Sequence, residues 1–145
     1  MADVSAIVLS AAQQAHILAE AREAHPFECC GLLTGVVEDG AARVREVLPA
    51  LNVAAAPERA FEIDPRTLIQ AHRGARERGE VILGWYHSHP TGLAMPSACD
   101  AERAAETGKV WIIVAQGDAA AYVSAEQGDI AGRFLPLPLR VISPA

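Results

Sequence analysis

His87 and His89 stand two residues apart at the end of an apolar run, in Gly84-Trp85-Tyr86-His87-Ser88-His89-Pro90. In an extended chain, side chains at i and i+2 point to the same face. Asp100 follows after a short loop containing Gly and Pro, in Ser97-Ala98-Cys99-Asp100, which reads as the start of a helix. Two imidazoles and a carboxylate, held by rigid elements on either side of a loop, make a three-ligand metal site. Such a site leaves a fourth position open for water, the pattern of catalytic rather than structural zinc. The ligand set favours zinc, one ion per chain; iron uses a similar facial triad, so ligand type alone does not choose the metal.

Asp100 has a second reading. Ser97-x-x-Asp100 at a helix start is a capping box, in which serine and acid exchange hydrogen bonds with backbone N–H groups. Its place just after the two histidines turns the preference towards a ligand, and the first helical turn can fix the direction of the acid while it does so. A hydrolytic metal site also needs a base to take a proton from water. Glu28 is a candidate, at a helix-to-strand turn, but spacing alone does not choose it over Glu23, Glu62 or Glu80.

The other reactive side chains read more plainly. Cys29 and Cys30 begin a strand and are expected as core thiols. Cys99 would need a base partner for nucleophilic work. His16, His25 and His72 fall in or at the end of helices, where solvated rings are expected. Trp85 and Tyr86 are expected to pack in the core, with lining of a substrate groove as the alternative.

The elements that must position these residues alternate along the chain. Ser10 caps a helix over 10–24, which His25-Pro26 ends because the residue before proline is pushed out of the helical region. Strands over 30–37 and 42–48 form a hairpin across Glu38-Asp39-Gly40. The stretch 51–59 reads as a surface loop and 61–63 as a short strand. Asp64 caps a helix over 65–77 with proline at its first position. The run 81–87 is nearly continuous in apolar residues and so is expected to be central. Ser97 opens a helix to about Thr107; 110–115 is a buried strand paired with 120–124 across Gly117-Asp118. The tail, 133–145, is punctuated by prolines and is strand-like at best. This order predicts one α/β domain, a mixed sheet flanked by helices, with its core over about 5–125.

With 145 residues the chain is large enough to bury roughly two thirds of its unfolded surface. Two Trp, two Tyr and three Phe leave a core built mainly from Ala, Val, Ile and Leu. A net charge of −6 argues against nucleic-acid binding driven by phosphate neutralisation. No stretch approaches the roughly 18 apolar residues of a membrane span, and the N-terminus lacks the basic region of a signal peptide. Three cysteines, two of them adjacent, do not suit a disulfide framework, so a cytoplasmic setting is expected.

Glu28-Cys29-Cys30-Gly31 and His87-Ser88-His89-Pro90 through Ser97-Ala98-Cys99-Asp100 resemble the signature of the JAMM (JAB/MPN+) metalloproteases. That signature is a glutamate before x-Cys-Gly, then His-Ser/Thr-His, seven residues, Ser, two residues and Asp. Asn52, Pro57, Phe61 and Asp64-Pro65 fall where the small stand-alone prokaryotic members have similar residues. The resemblance spans about Ser10 to Val123 and implies a single JAB/MPN+ domain over 1–145 with the three-layer fold related to cytidine deaminases. It implies zinc held by His87, His89 and Asp100, Glu28 as the base, and Ser97 as the hydroxyl that stabilises the oxyanion. The implied reaction is cleavage of an amide or isopeptide bond at the C-terminal glycine of a ubiquitin-like protein. The compact segment between Asp64 and Glu80 lacks the insertions with which eukaryotic members grip ubiquitin chains. That favours a small ubiquitin-like or sulfur-carrier protein ending in Gly-Gly as the partner.

Rival readings are a small-molecule amidohydrolase, a non-catalytic MPN scaffold, and the DNA-repair-associated branch, whose motif has Asn where this chain has Ser88. The zinc deaminases lack support because their His-x-Glu and Pro-Cys-x-x-Cys elements are missing. The oligomeric state is open, a homodimer included.

Overall fold

The computed structural model describes residues 4–143. Among the described residues, eight strands form one mixed sheet with three helices packed on it. The elements, in chain order, are β1 (Ala6–Ser10), α1 (Ala11–Ala24), β2 (Cys30–Glu38), β3 (Ala41–Ala50), α2 (Pro65–Glu77), β4 (Val81–Ser88), α3 (Ala98–Arg103), β5 (Val110–Ala115), β6 (Asp118–Gly128), β7 (Gly132–Leu137) and β8 (Leu139–Ile142). The strand order is β7-β6-β5-β4-β2-β3-β1-β8. Pairs β4–β5, β1–β3 and β1–β8 are parallel, and the rest are antiparallel. Strands β7 and β8 are the two edges, yet only Pro138 lies between them. Three consecutive Cα atoms span at most about 7.6 Å, so the sheet curls until its edges meet at that corner.

The α/β class and the mixed sheet flanked by helices are as the sequence implies. Helices α1 and α2 start where their caps place them: Ser10 and Gln13 form a capping box, and the Asp64 side chain accepts from the Thr67 N–H. Helix α3 is shorter than expected. Its C-cap is Ala104, whose carbonyl accepts from Arg133 Nη2 at 2.6 Å, while Ser124 Oγ donates to the Glu106 carbonyl at 2.6 Å. Those bonds draw 104–109 onto β6 and β7 instead of a further helical turn. The short strand expected at 61–63 is a single antiparallel bridge between Ile63 and Asn52.

The tail contributes more than sequence suggests. Strand β7 places Phe134 and Leu137 in the core, and β8 pairs with β1, so the core extends past residue 125. Proline lacks an N–H for the ladder and is tolerated on edge strands, which is where Pro136 sits. The apolar run of β1, missed because it is short and runs straight into the α1 cap, lies buried between β3 and β8.

Strand β4 is central and buried along most of its length. A register shift opposite Leu33/Thr34 changes its phase near Leu83. Leu83 and Tyr86 then pack with α1 residues such as Ile17, while Trp85 packs on the opposite side with Trp111 and Phe61. His87 shares the Trp85 side. No described helix is long and apolar enough to cross a membrane.

Candidate metal centre

Two elements and one loop end bring the three predicted ligands together. His87 is fully buried near the end of β4. Phe61 stacks on its ring at 4.3 Å with planes 21° apart, and Trp111 meets it edge-on at 5.7 Å. His89 follows the strand, and its backbone N–H donates to the Val114 carbonyl of β5 at 2.8 Å. Asp100 lies in the first turn of α3, where Ser97 Oγ accepts from the Asp100 N–H at 3.0 Å and Asp100 Oδ2 accepts from the Ser97 N–H at 2.9 Å. The capping box and the approach to the histidines therefore coexist: the cap fixes the carboxylate that faces His87 and His89.

The donor atoms converge. His87 Nε2 lies 3.1 Å from His89 Nε2 and 3.1 Å from Asp100 Oδ1, and His89 Nε2 lies 3.1 Å from Asp100 Oδ2. A tetrahedral ion with metal–ligand bonds of about 2.0–2.1 Å sets ligand atoms about 3.3 Å apart, so the spacing fits. The protonation pattern fits as well. A carbonyl oxygen only accepts, so His89 Nδ1 must donate to the Leu93 carbonyl, 2.9 Å away. Without an ion, burial lowers the His89 imidazole but the contacts with Asp100 and the Leu93 carbonyl outweigh it and raise the ring, so that Nε2–H donates to Asp100; a bound cation would take the place of that proton. Burial drives the His87 imidazole towards its neutral form. Burial would raise Asp100, but hydrogen bonds from His87 and His89 overcome it and hold the carboxyl well below the usual carboxylate range. A neutral His87 and an ionised Asp100 are donor forms a metal takes, and an ion at His89 Nε2 would displace the proton there.

Glu28 is the acid brought to this cluster. It is 5% exposed, its Oε1 is buried with no hydrogen-bond partner, and it precedes β2, whose Cys30 is paired with His87. Burial pushes its carboxyl up to about 7, with the Asp100 charge adding to the rise and His89 and Arg103 opposing it. Glu23 and Glu62 are exposed, while Glu80 is held by Thr34 and Arg78 beside the opposite end of β4. Ser97 is exposed at the mouth of the site.

Gly31 is required by packing. A Cβ there would lie 2.3 Å from Tyr86 Oη, because the Tyr86 ring crosses that strand on its way to Glu20 on α1. Tyr86 is wholly buried and Trp85 packs beside the core, as expected. Cys29 and Cys30 are buried, burial pushing both thiols up to about 12; Cys99 is half-buried, and none of the three is in a disulfide. His16, His25 and His72 are exposed.

A sequence profile described as prokaryotic homologs of the JAB domain matches residues 10–127. The chain belongs to this family. Among curated JAB relatives, the desampylase of Haloferax volcanii is 38% identical over 113 residues, covering 75% of this chain and 80% of that protein. The CysO-cysteine peptidase of Mycobacterium tuberculosis is 30% identical over 102 residues, 70% of this chain and 68% of that protein. A solved structure of a protein from Desulfitobacterium hafniense superposes with a TM-score of 0.82 at 29% identity, covering 95% and 94% of the two chains. The JAB family is metal-dependent, and the His-His-Asp cluster is where this member can hold an ion.

Three contributors escaped sequence reasoning as parts of the site. Phe61 covers His87, the Leu93 carbonyl sets the His89 tautomer, and Asn52 donates to the Glu28 carbonyl at 3.0 Å. Phe61 and Asn52 stood out only as points of family likeness, and nothing in the spacing marked Leu93.

Proposed function

We propose that the chain is a zinc-dependent peptidase that cleaves an amide or isopeptide bond at the C-terminal glycine of a ubiquitin-like or sulfur-carrier protein. One observation carries the reading: three donor atoms at metal-ligand spacing meet beside the buried carboxyl of Glu28, whose Oε1 has no hydrogen-bond partner. His87, His89 and Asp100 hold the ion, one per chain. An ion held there would supply Lewis acidity to the reaction.

Glu28 is the general base. Its buried carboxyl, beside the ligands and with Oε1 unpartnered, takes the proton from the attacking water and passes it to the leaving amine. Ser97 Oγ accepts from the Asp100 N–H, which leaves its own O–H free to donate to the oxygen that gains charge as the carbonyl carbon becomes tetrahedral. The Leu93 carbonyl keeps His89 in one tautomer.

The substrate class rests on relatives whose names, desampylase and CysO-cysteine peptidase, denote protein conjugates. Exposed apolar side chains near the site support it. Phe27 precedes Glu28, Val53 follows Asn52, and Leu93 and Met95 lie between His89 and Ser97; all four are 45–66% exposed. Such a rim suits an extended tail, and glycine at its end passes most easily into a confined site. Three free cysteines accord with a reducing cytoplasm.

The test is hydrolysis of a ubiquitin-like carrier extended past its terminal glycine. Chelation should abolish it, one equivalent of zinc should restore it, and E28Q should bind the zinc yet remain inert. Activity that survives complete metal removal sinks the reading.

A further inference from the structure

Glu28 lies outside every strand, and no partner holds its Oε1. The aim of its carboxyl is therefore set from the main chain. The Glu28 N–H donates to the Pro57 carbonyl at 2.8 Å, and the Glu28 carbonyl accepts from Asn52 Nδ2 at 3.0 Å. One residue on, the Cys29 N–H donates to Ser88 Oγ at 2.9 Å, and the Cys29 carbonyl accepts from the Ser88 N–H at 3.1 Å. Ser88 thus ties this stretch to β4, while Asn52 and Pro57 tie it to the loop over 51–64.

Asn52 is the hub of that loop. Its Nδ2 also donates to the Ala60 carbonyl at 3.0 Å, and its Oδ1 accepts from the N–H groups of Ala54 at 3.0 Å and Glu62 at 3.1 Å. An amide side chain has two donor hydrogens and two acceptor lone pairs, so every bonding position is used. The loop that it closes reaches both ligand-bearing elements. Phe61 stacks on His87 of β4, and the Phe61 carbonyl accepts from Arg103 Nη1 of α3 at 2.9 Å.

We propose that Asn52 is a positioning residue for the hydrolysis. It holds the Glu28 main chain against the 51–64 loop so that the carboxyl faces His89 and Asp100, and it thereby sets the base in register with the ligands. The inference rests on the reading of Glu28 as the base. Misplacing a reacting group by about 1 Å costs on the order of 100-fold in rate, and a base held only through its backbone is exposed to that loss.

The experiment compares wild type, N52D and N52A in the zinc-loaded full chain, with a ubiquitin-like carrier extended by a short peptide as substrate. N52D keeps the two acceptor bonds and loses both donations; N52A serves if the added carboxylate unfolds the loop. The expected result is one zinc per chain, KM within about twofold of wild type, and kcat lower by about 10- to 100-fold. Hydrogen exchange should speed up at the Glu28 N–H and stay slow across β4 and β5. A kcat within twofold of wild type overturns the proposal. Loss of zinc or of the fold in both variants also overturns it, leaving Asn52 a structural role only. E28Q separates the two levels: if it is active, the base assignment falls and this inference with it. If E28Q is inert while N52D is fully active, only the role of Asn52 falls.

Discussion

Replacing Glu28 by Gln should trade activity against stability in a way that depends on pH. The carboxyl rises from its ordinary 4.5 to about 7 in the folded chain because burial disfavours its charge. Between those two values the folded state binds more protons than the unfolded state, so stability falls as pH rises. The favourable contribution is fully present below about 4.5 and lost as pH climbs through about 7. At about 1.4 kcal/mol for each tenfold change in proton affinity, ionised Glu28 costs the metal-free fold about 1.5–3 kcal/mol, the lower figure allowing for solvent screening. Gln keeps the shape and never ionises. For a domain of this size each kcal/mol moves Tm by about 2–4 °C. Chelated E28Q should therefore melt about 1–3 °C above wild type at pH 5 and about 3–12 °C above it at pH 8. Calorimetry of both proteins at several pH values between 5 and 8, in chelator, reads this directly. The same variant should lose on the order of 100-fold or more in hydrolysis. A Tm difference that does not grow with pH refutes the buried-carboxyl argument, and full activity in E28Q refutes its role as base.

Other outcomes follow from the same geometry. His89→Ala should lose both zinc binding and hydrolysis, which metal analysis and a cleavage assay read side by side; retention of stoichiometric zinc counts against His89 as a ligand. Gly31→Ala drives a methyl group into Tyr86 and should cost about 1–3 kcal/mol from overpacking, visible as a lowered Tm; an unchanged Tm would show that Tyr86 can move aside. Cys29 and Cys30, buried with thiols near 12, should resist alkylation at pH 8 in the native protein. Mass measurement should then find one adduct, on Cys99, and three after denaturation; native labelling of Cys29 or Cys30 contradicts the packing.

Much of the site was legible because its chemistry is written in short spacings. Two histidines on one strand face and a capping acid soon afterwards need little tertiary information, and the caps at Ser10 and Asp64 fixed two helix starts. Selection among the four glutamates was different. Glu28 stands apart only through burial, created when β2 pairs with β4 and the 51–64 loop closes over it, and no local pattern reports that. The tail misled for a related reason. Pro136 argues against a central strand but is compatible with an edge, and the edge position of β7 is a property of the whole sheet. Helix α3 ended early because Arg133 and Ser124, distant in sequence, take up carbonyls at its end.

The most direct test of the central claim is the mass of the products when the zinc-loaded chain meets a ubiquitin-like carrier joined to a lysine or a short peptide through its C-terminal glycine. The account predicts two species, the intact carrier ending at that glycine and the freed amine, formed by wild type and not by E28Q. An uncut conjugate, or cleavage at any other bond, contradicts it.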